Sequence, residues 1–573
     1  MDPSQKIGLP TPPVTAPSAN ASDELGSSTY TNIDSRDPFR KGGPGHLPLY
    51  PSNTVITGNT PENAERFIQK ASQLCESRHV VCTITMVIRH SRGSAPRLPE
   101  DITLLIYANQ QTDRDDAWVI IIRQMIDIFT ENSFGGRIEI CDPIASSGKQ
   151  VFTLGSQHEL IPRWDSVRPR ILQVLSGSDW NTMVPARLGY TDSLAATTLI
   201  ITAKNPQSPG WNQRQKQLHN IFALEILSEE VQVEIRESKT LWGVYGGSNP
   251  GPTPPPIPDE AFDTGRSNLM GVSISCENSS SSGTLGGFIK LSSSQTQSEI
   301  SGLTCHHVLV NMTTGHPFTQ SINLNGCGSV VSNFSEHRVN VPSHTQFQEI
   351  SNSTIQALNE INTQIEQYNP THPVPLTVLK NRQAQAQEKL SALQHHSFFG
   401  RIAATSGCRS VKSGGAEWTA DWALVEITNQ RSASNKTWWM RELSSSLLPM
   451  IDTSTEVKVS GLLTAAMINK RLVVKRGQSS GVTLGMVNEI QLSARADGLP
   501  STVVNQSFFV VPGPGFPLFA TAGDSGGWVL DEHGSLLGII HGGDYASGEG
   551  FVLPIDDIFS DIKKVTGFTA SLP

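Results

Sequence analysis

The sequence predicts a multidomain protein: an N-terminal region mixing helices and strands (α/β or α+β), then a C-terminal region built mainly of short strands. Three observations lead there. The chain has 573 residues, enough for two or three domains. A run from Gly246 to Pro258 is dominated by proline and glycine, which give an extended connection with a swivel at its start. Before that run, apolar stretches of strand and helix character alternate; after it, strand character prevails, apart from one helical stretch.

In chain order, residues 1–52 are rich in Pro, Ser, Thr and Gly and are expected to be disordered. Residues 53–245 are expected to form an α/β accessory domain. His79 to Ile88 and Ile102 to Ala108 are rich in Val, Ile and Thr and read as strands. Trp118 to Ile122 is an apolar run leading into a helix that ends near Phe129. Arg137 to Cys141, Leu194 to Thr202 and Val231 to Ile235 return to strand character, and Ser166 to Leu175 is helical. The segment Arg89-His90-Ser91-Arg92-Gly93 reads as a polar loop after a strand. No phosphate loop, dinucleotide fingerprint or zinc spacing occurs here, so the region is a targeting, regulatory or assembly module, and its sequence does not say which.

Residues 246–259 are the linker, and 260–573 form the second folded region. Gly271 to Ser275 and Gly286 to Ile289 read as its opening strands. Leu358, Ile361, Ile365 and Tyr368 then repeat at three-four-three spacing, and Leu376, Leu379, Ala386, Leu390 and Leu393 continue similarly after a proline-rich break. Polar residues fill the other faces, so two amphipathic helices form a hairpin inserted at about 345–395. The hairpin either buttresses the strands or serves as an arm on which a partner docks. Val457 to Gly461, Arg471 to Lys475, Thr483 to Ile490 and Phe508 to Val511 read as later strands, and Ile555 to Val565 as a terminal helix.

Three stretches carry chemistry. In Thr521-Ala522-Gly523-Asp524-Ser525-Gly526-Gly527-Trp528-Val529, a serine sits among small residues ahead of an apolar strand, as an exposed nucleophile on a tight turn would. A serine hydroxyl needs an adjacent base to attack at neutral pH. The oxyanion it generates needs preorganised N–H donors, for which the amides of Gly523 and Ser525 are candidates. The plainer reading is a Gly-Ser turn between strands. Leu303-Thr304-Cys305-His306-His307-Val308 offers imidazoles, and Asp421-Trp422-Ala423-Leu424 offers a carboxylate ahead of a strand.

Gly523-Asp524-Ser525-Gly526-Gly527 resembles, letter for letter, the nucleophile signature of trypsin-like serine proteases of the chymotrypsin fold. The histidine stretch resembles that family's base motif, in a register that makes His307 the base, and Asp421-Trp422-Ala423-Leu424 resembles its Asp-x-Ala-Leu segment. The order His, Asp, Ser is that of the chymotrypsin group. The resemblance covers residues 260–573 at motif level and implies an all-β double β-barrel. It further implies a serine endopeptidase acting through an acyl-enzyme on protein or peptide substrates, with Ser525 as nucleophile, His307 as base, Asp421 as its orienter and no cofactor or metal. It implies a primary pocket with Phe519, six residues before Ser525, at its floor and Gly543 and Gly550 near its walls, selecting small or medium apolar residues unless Asp544 or Glu549 reaches in. His541 falls near the position that contacts the catalytic carboxylate.

The chain also departs from that family. The helical insert lengthens the distance from His307 to Asp421. No Ile-Val-Gly-Gly segment precedes the domain, since Arg266-Ser267-Asn268-Leu269 does not resemble it. Asp524 must therefore find another partner than a newly cut N-terminus, or the enzyme is latent until a partner arranges the oxyanion hole. The architecture looks like the multidomain trypsin-like proteins of filamentous fungi. The rival reading is an inactive protease-like scaffold that binds peptides or protein partners.

Composition narrows partners and compartment. The net charge of −9 and the lack of a long basic run argue against nucleic acid, and no apolar run reaches membrane-spanning length. The start Met1-Asp2-Pro3 lacks a basic-then-apolar leader. The seven cysteines (Cys75, Cys82, Cys141, Cys276, Cys305, Cys327 and Cys408) are odd in number and scattered, as for thiols in a reducing, cytoplasmic setting. Cys305 beside His306 could suggest a metal, but a small buried cysteine fits better. A regulatory protein could dock on the accessory domain or on the helical insert.

Overall fold

The structure, a computed structural model, describes residues 33–45, 47, 52–55, 63–91, 100–242 and 270–573, less 147, 207, 226, 238–239, 278, 280, 294–297, 311–337, 370–373, 397, 408, 414–415, 428–434, 438–457, 460, 464–471, 496–503 and 545–546. Of the segment 1–52 expected to be disordered, residues 1–32, 46 and 48–51 lie outside the described residues, as do the linker 246–259, Arg92, Gly93, Cys327 and Cys408, whereas Asp34–Asp37 and Arg40–Gly43 are strands, because they pair into a sheet. Two compact units divide near Pro143, inside the span that the sequence treats as one accessory domain.

In the first unit, strands run in the order Asp34–Asp37, Arg40–Gly43, Arg137–Cys141, Ile102–Ala108, Cys82–Ser91. Ile102–Ala108 and Arg137–Cys141 pair in parallel and the others antiparallel. The helices Ala64–Ser77 and Ala117–Glu131 share one apolar core with this sheet. Trp118, Ile121, Ile122, Met125, Ile126 and Phe129 recur at helical spacing and are all buried, so the run at Trp118 is the first turn of the helix itself and not a lead-in to it. Arg89, His90 and Ser91 extend the strand Cys82–Ser91 where a polar loop was expected.

The second unit begins with the strands Gln150–Phe152, Trp180–Gly189, Ala196–Ala203 and Gln232–Glu237. The helices Trp164–Leu175 and Gly210–Ala223 pack with them around Trp164, Ile171, Trp180, Leu199, Ile201 and Leu218. This sheet does not stop at its own edge. Trp180–Gly189 pairs antiparallel with Leu492–Ala494, through Thr182 opposite Ala494 and Met183 opposite Ser493, so it continues into the C-terminal strands.

Two β-structures make up the C-terminal part. Six strands close on themselves in the order Leu472–Gly477, Gly481–Val487, Asn505–Pro512, Glu549–Pro554, Ser535–Asp544, Trp528–Asp531 and back to the first. Closure pairs every strand of this barrel with two neighbours, but Gly542–Asp544 runs on past its strand's pairing with Trp528–Asp531 and so keeps one side open to another strand. An open, half-barrel sheet runs Gly283–Thr284, Ser273–Cys276, Arg338–Asn340, Phe398–Thr405, Ala423–Ile427, Glu299–Thr304, Gly287–Ser292, Thr569–Ser571. Its core includes Phe288, Leu303, Phe399, Trp422 and Leu424, and Trp528 from the closed barrel joins it. Gly286 and Gly287 make that junction, because a Cβ on either would meet the Trp528 ring at under 3 Å.

The inserted helices span His344–Glu366 and Leu376–His396 and pack on each other. Their base is tied to the half-barrel: Ser343 donates its amide to Ser273 Oγ at 2.8 Å, and His344 donates to Ser275 Oγ at 3.0 Å. Ile355 and Val378 stay exposed on them. Tyr368 lies past the end of the first helix. Among the described residues, no helix is long and apolar enough to cross a membrane.

The C-terminal helix Ile555–Thr566 ends at Gly567, whose φ of +78° gives the left-handed stop. Its Asp561 is buried and accepts from Trp422 Nε1 at 2.8 Å and from Arg409 Nη2 at 2.7 Å. Replacing Asp561 by Ala removes the only carboxylate from a buried, charge-assisted cluster. It is expected to lower unfolding free energy by about 3 kcal/mol, read from the urea midpoint at constant m-value.

Candidate active site

Strand Glu299–Thr304 runs into a single helical turn, His306–Leu309, which presents two adjacent imidazoles. They go to different partners. His306 is fully buried, with Nδ1 2.6 Å from Thr405 Oγ1. The Thr405 hydroxyl donates its one proton to the Trp422 carbonyl at 3.0 Å, so it accepts from His306. His307 instead meets Asp421, with Nδ1 2.6 Å from Oδ2 and its backbone amide donating to Oδ1 at 3.1 Å. Both ends of that carboxylate are thus fixed on one residue. With Nδ1 committed, the other ring nitrogen, Nε2, is the one left to exchange protons.

Asp421 lies between the strands Ala416–Ala420 and Ala423–Ile427 and is almost wholly buried. Burial pushes its carboxyl up. The charge and hydrogen bond of His307, with His306 and His541 farther off, outweigh burial and hold it below the ordinary carboxylate range.

Ser525 stands on two successive tight turns. Asp524 N donates to Thr521 O at 3.1 Å and Gly527 N to Asp524 O at 2.9 Å. The third position of each turn is a glycine with positive φ, Gly523 at +93° and Gly526 at +92°. Gly526 also lacks room for a side chain, since a Cβ would lie 2.2 Å from both Thr284 O and Thr304 Oγ1 and 3.3 Å from Cys305 N. The Ser525 turn is therefore packed against the segment that leads into His307. Thr284 donates its amide to the Ser525 carbonyl at 2.8 Å and its hydroxyl to the Gly523 carbonyl at 3.0 Å. Among the described residues, the amides of Gly523 and Ser525 have no acceptor.

Asp524 points inward and is fully buried. Its Oδ2 accepts from Lys475 Nζ at 2.7 Å, Ser480 Oγ at 2.6 Å and Thr521 N at 3.0 Å. Its Oδ1 accepts from the amides of Ser479 and Ser480 at 3.2 and 3.1 Å. Ser479 and Ser480 belong to the turn joining Leu472–Gly477 to Gly481–Val487.

Phe519 is fully buried in the closed barrel with Phe508, Val510, Val529, Ile540 and Val552. A Cβ on Gly550 would lie 2.7 Å from its ring, and one on Gly485 2.6 Å, so the ring fills the space between these backbones. Gly543 lies opposite Gly550 in the strand pair, and Asp544 opposite Glu549. The two carboxylates are engaged by the turn beside them: Ser547 donates its amide to Asp544 at 3.3 Å and its hydroxyl to Glu549. Burial, and then Asp544, raise the Glu549 carboxyl to about 7, although Arg236 opposes this.

Cys305, His307 and Asp421 bring potential ligand atoms within 4.8 Å of one another. Each is already engaged, because Cys305 Sγ donates to Ile540 O at 3.2 Å and the other two bind each other.

Two features of the site leave no mark in the sequence, and a third, His541, is flagged there without its partner. Lys475 follows the apolar run Leu472-Val473-Val474 and precedes Arg476, the ordinary pattern of a strand ending at the surface. The strand Thr240–Trp242 pairs antiparallel with Gly542–Asp544, through Leu241 opposite Gly543; nothing in its composition marks it. A β-bulge between Ile540 and Gly542 reorients His541, whose Nε2 lies 2.9 Å from Ser507 Oγ.

Burial, opposed by Asp421 and reinforced by His307, lowers the His541 imidazole from 6.5 to about 4. The folded state resists this proton more than the unfolded chain does. The resulting stability is present above pH 6.5 and is lost as pH falls towards 4. Urea midpoints across that window are expected to drop, with a loss on the order of 3 kcal/mol from this group. His541→Gln should flatten the acid limb; an unchanged pH profile would contradict the assignment.

Comparison with known protein families matches residues 257–571, more than half of the chain and a span that includes His307, Asp421 and Ser525, to peptidase family S64, a family of serine-type peptidases. With a serine on a strained turn beside a carboxylate-bound histidine in that region, the chain belongs to peptidase family S64.

Proposed function

We propose that the protein is a serine endopeptidase in which Ser525 attacks the peptide carbonyl, His307 takes the proton and returns it to the leaving amine, and Asp421 holds the imidazole. The observation that carries this is the His307–Asp421 contact at 2.6 Å on the segment against which the Ser525 turn is packed. The amides of Gly523 and Ser525 serve as the oxyanion hole, and the half-barrel and closed barrel are the two halves of a chymotrypsin-type fold. The acyl-enzyme formed at Ser525 is hydrolysed by water through the same imidazole. Ser525→Ala, His307→Ala and Asp421→Asn should each lower turnover of a peptide substrate by several orders of magnitude, and non-additively when combined. Full turnover by His307→Ala, with loss in His306→Ala, would move the base by one residue.

The primary pocket of this enzyme is shallow. The Phe519 ring closes its floor against Gly550, and the Asp544 and Glu549 carboxylates are held by Ser547. Cleavage is expected after small apolar residues. Profiling with a peptide library that found dominant cleavage after Arg or Lys, abolished in Asp544→Ala or Glu549→Ala, would sink this reading.

The accessory region restrains the enzyme, which works inside the cell. A peptidase holds its substrate extended, as an added strand beside its own edge. Beside the Gly542–Gly543 edge, that position is taken by the chain's own Thr240–Trp242. The odd, scattered set of seven cysteines is what supports a reducing compartment. Replacing both Thr240 and Leu241 by Pro in the full chain removes an amide donor from the pairing, since adjacent residues alternate in pointing at the partner strand, and should raise turnover of a short peptide severalfold. Unchanged turnover, with the fold intact, would argue against this restraint.

A further inference from the structure

We infer that Lys475 is a positioning residue for the oxyanion hole: an internal cation that locks Asp524 and so presets the Gly523 and Ser525 amides without any cut N-terminus. The inference rests on Ser525 being the nucleophile, as proposed above. Asp524 immediately precedes Ser525, so whatever fixes its side chain fixes the backbone on both sides of the nucleophile. The carboxylate and the ammonium are both 0% exposed and 2.7 Å apart. A buried carboxylate left without a cation is strongly disfavoured, so the turn would reorganise to reach water if the lysine were lost.

The lock has further parts. Lys475 Nζ also donates to Ser480 Oγ and lies 5.9 Å from the centre of the Phe519 ring. Ser480 passes the contact on, donating both amide and hydroxyl to Asp524. The turn 478–480 is thereby drawn over the nucleophile loop, and a Cβ on Gly523 would lie 2.3 Å from Ser479 Oγ. Five donors surround the two oxygens, more than the about four lone-pair sites a carboxylate offers, so none of its acceptor capacity is left over. Burial, with a smaller push from Arg476, holds the Lys475 ammonium below its ordinary range, and the charge and hydrogen bond of Asp524 are what oppose the loss of its proton. The amides of Gly523 and Ser525 are left pointing at no protein acceptor, the condition for preorganised anion binding.

The test uses the full chain and a fluorophosphonate probe, whose phosphoryl oxygen occupies the oxyanion position as Ser525 attacks phosphorus and the fluoride leaves. The maximal rate of labelling, the half-saturating probe concentration and the final stoichiometry are measured separately. Lys475→Met should lower the maximal rate about 100-fold. Half-saturation should stay within about twofold, since only a transition-state interaction is lost. A purely structural lysine would instead reduce the final stoichiometry and leave the rate of the labelled fraction unchanged; that result overturns the inference. If Lys475→Met does not fold, the double variant Lys475→Met/Asp524→Leu removes both charges and keeps the core apolar. It should fold and still label slowly, and labelling at the wild-type rate overturns the inference. Failure of the wild-type chain to label at Ser525 overturns the Ser525 reading, and this inference with it.

Discussion

The site depends on one constraint: carboxylates removed from water must be paired, and each pairing fixes a loop. Asp421, Asp524 and Asp561 are all buried, and none is satisfied within its own segment. Asp421 binds the helical turn that carries His307. Asp524 binds the strand and hairpin turn that carry Lys475, Ser479 and Ser480. Asp561 reaches from the C-terminal helix to Trp422, the neighbour of Asp421. Unpaired, any of these charges would be costly, so the loops have little freedom to move apart. Rigidity at the chemistry follows from electrostatics in a dry interior, and the apolar cores on either side supply the dryness.

Close backbone approach is the second condition. Gly526 lets the nucleophile turn sit on Thr284 and Thr304, and Gly286 and Gly287 admit the Trp528 ring from the closed barrel. Positive φ at Gly523 and Gly526 is needed for the same turn. These glycines set how near the serine turn comes to the histidine segment.

Continuity of the sheet links the chemistry to the rest of the second unit. Strand Trp180–Gly189 joins Leu492–Ala494, and Thr240–Trp242 joins Gly542–Asp544 beside the site. Backbone pairing of this kind is sequence-tolerant, so it couples the regions without a recognisable motif. The inserted helices, anchored at Ser343 and otherwise largely exposed, leave their own role between a buttress and an arm.

Much of this was legible in the sequence. Short-range signals survive folding: small residues around Ser525 mark a strained turn, and three-four-three spacing marks the helices now seen at His344–Glu366 and Leu376–His396. Helical spacing around Trp118 was present too, but a run of adjacent apolar residues reads equally as strand or helix when taken alone. The motif register pointed to His307, but residue type alone does not say which of two adjacent histidines meets a carboxylate: the rotation of a four-residue helical turn decides it, and the structure puts His307 on Asp421 and His306 on Thr405. The partner of Asp524 was out of reach. By itself, the sequence determined the chemistry available along the chain, because residue type and local backbone preference are properties of a few neighbouring residues. The tertiary structure alone decided that Lys475 neutralises Asp524 and that Thr240–Trp242 lies along Gly542–Asp544, because a buried charge or a free strand edge is matched through space and leaves no mark in the residues between.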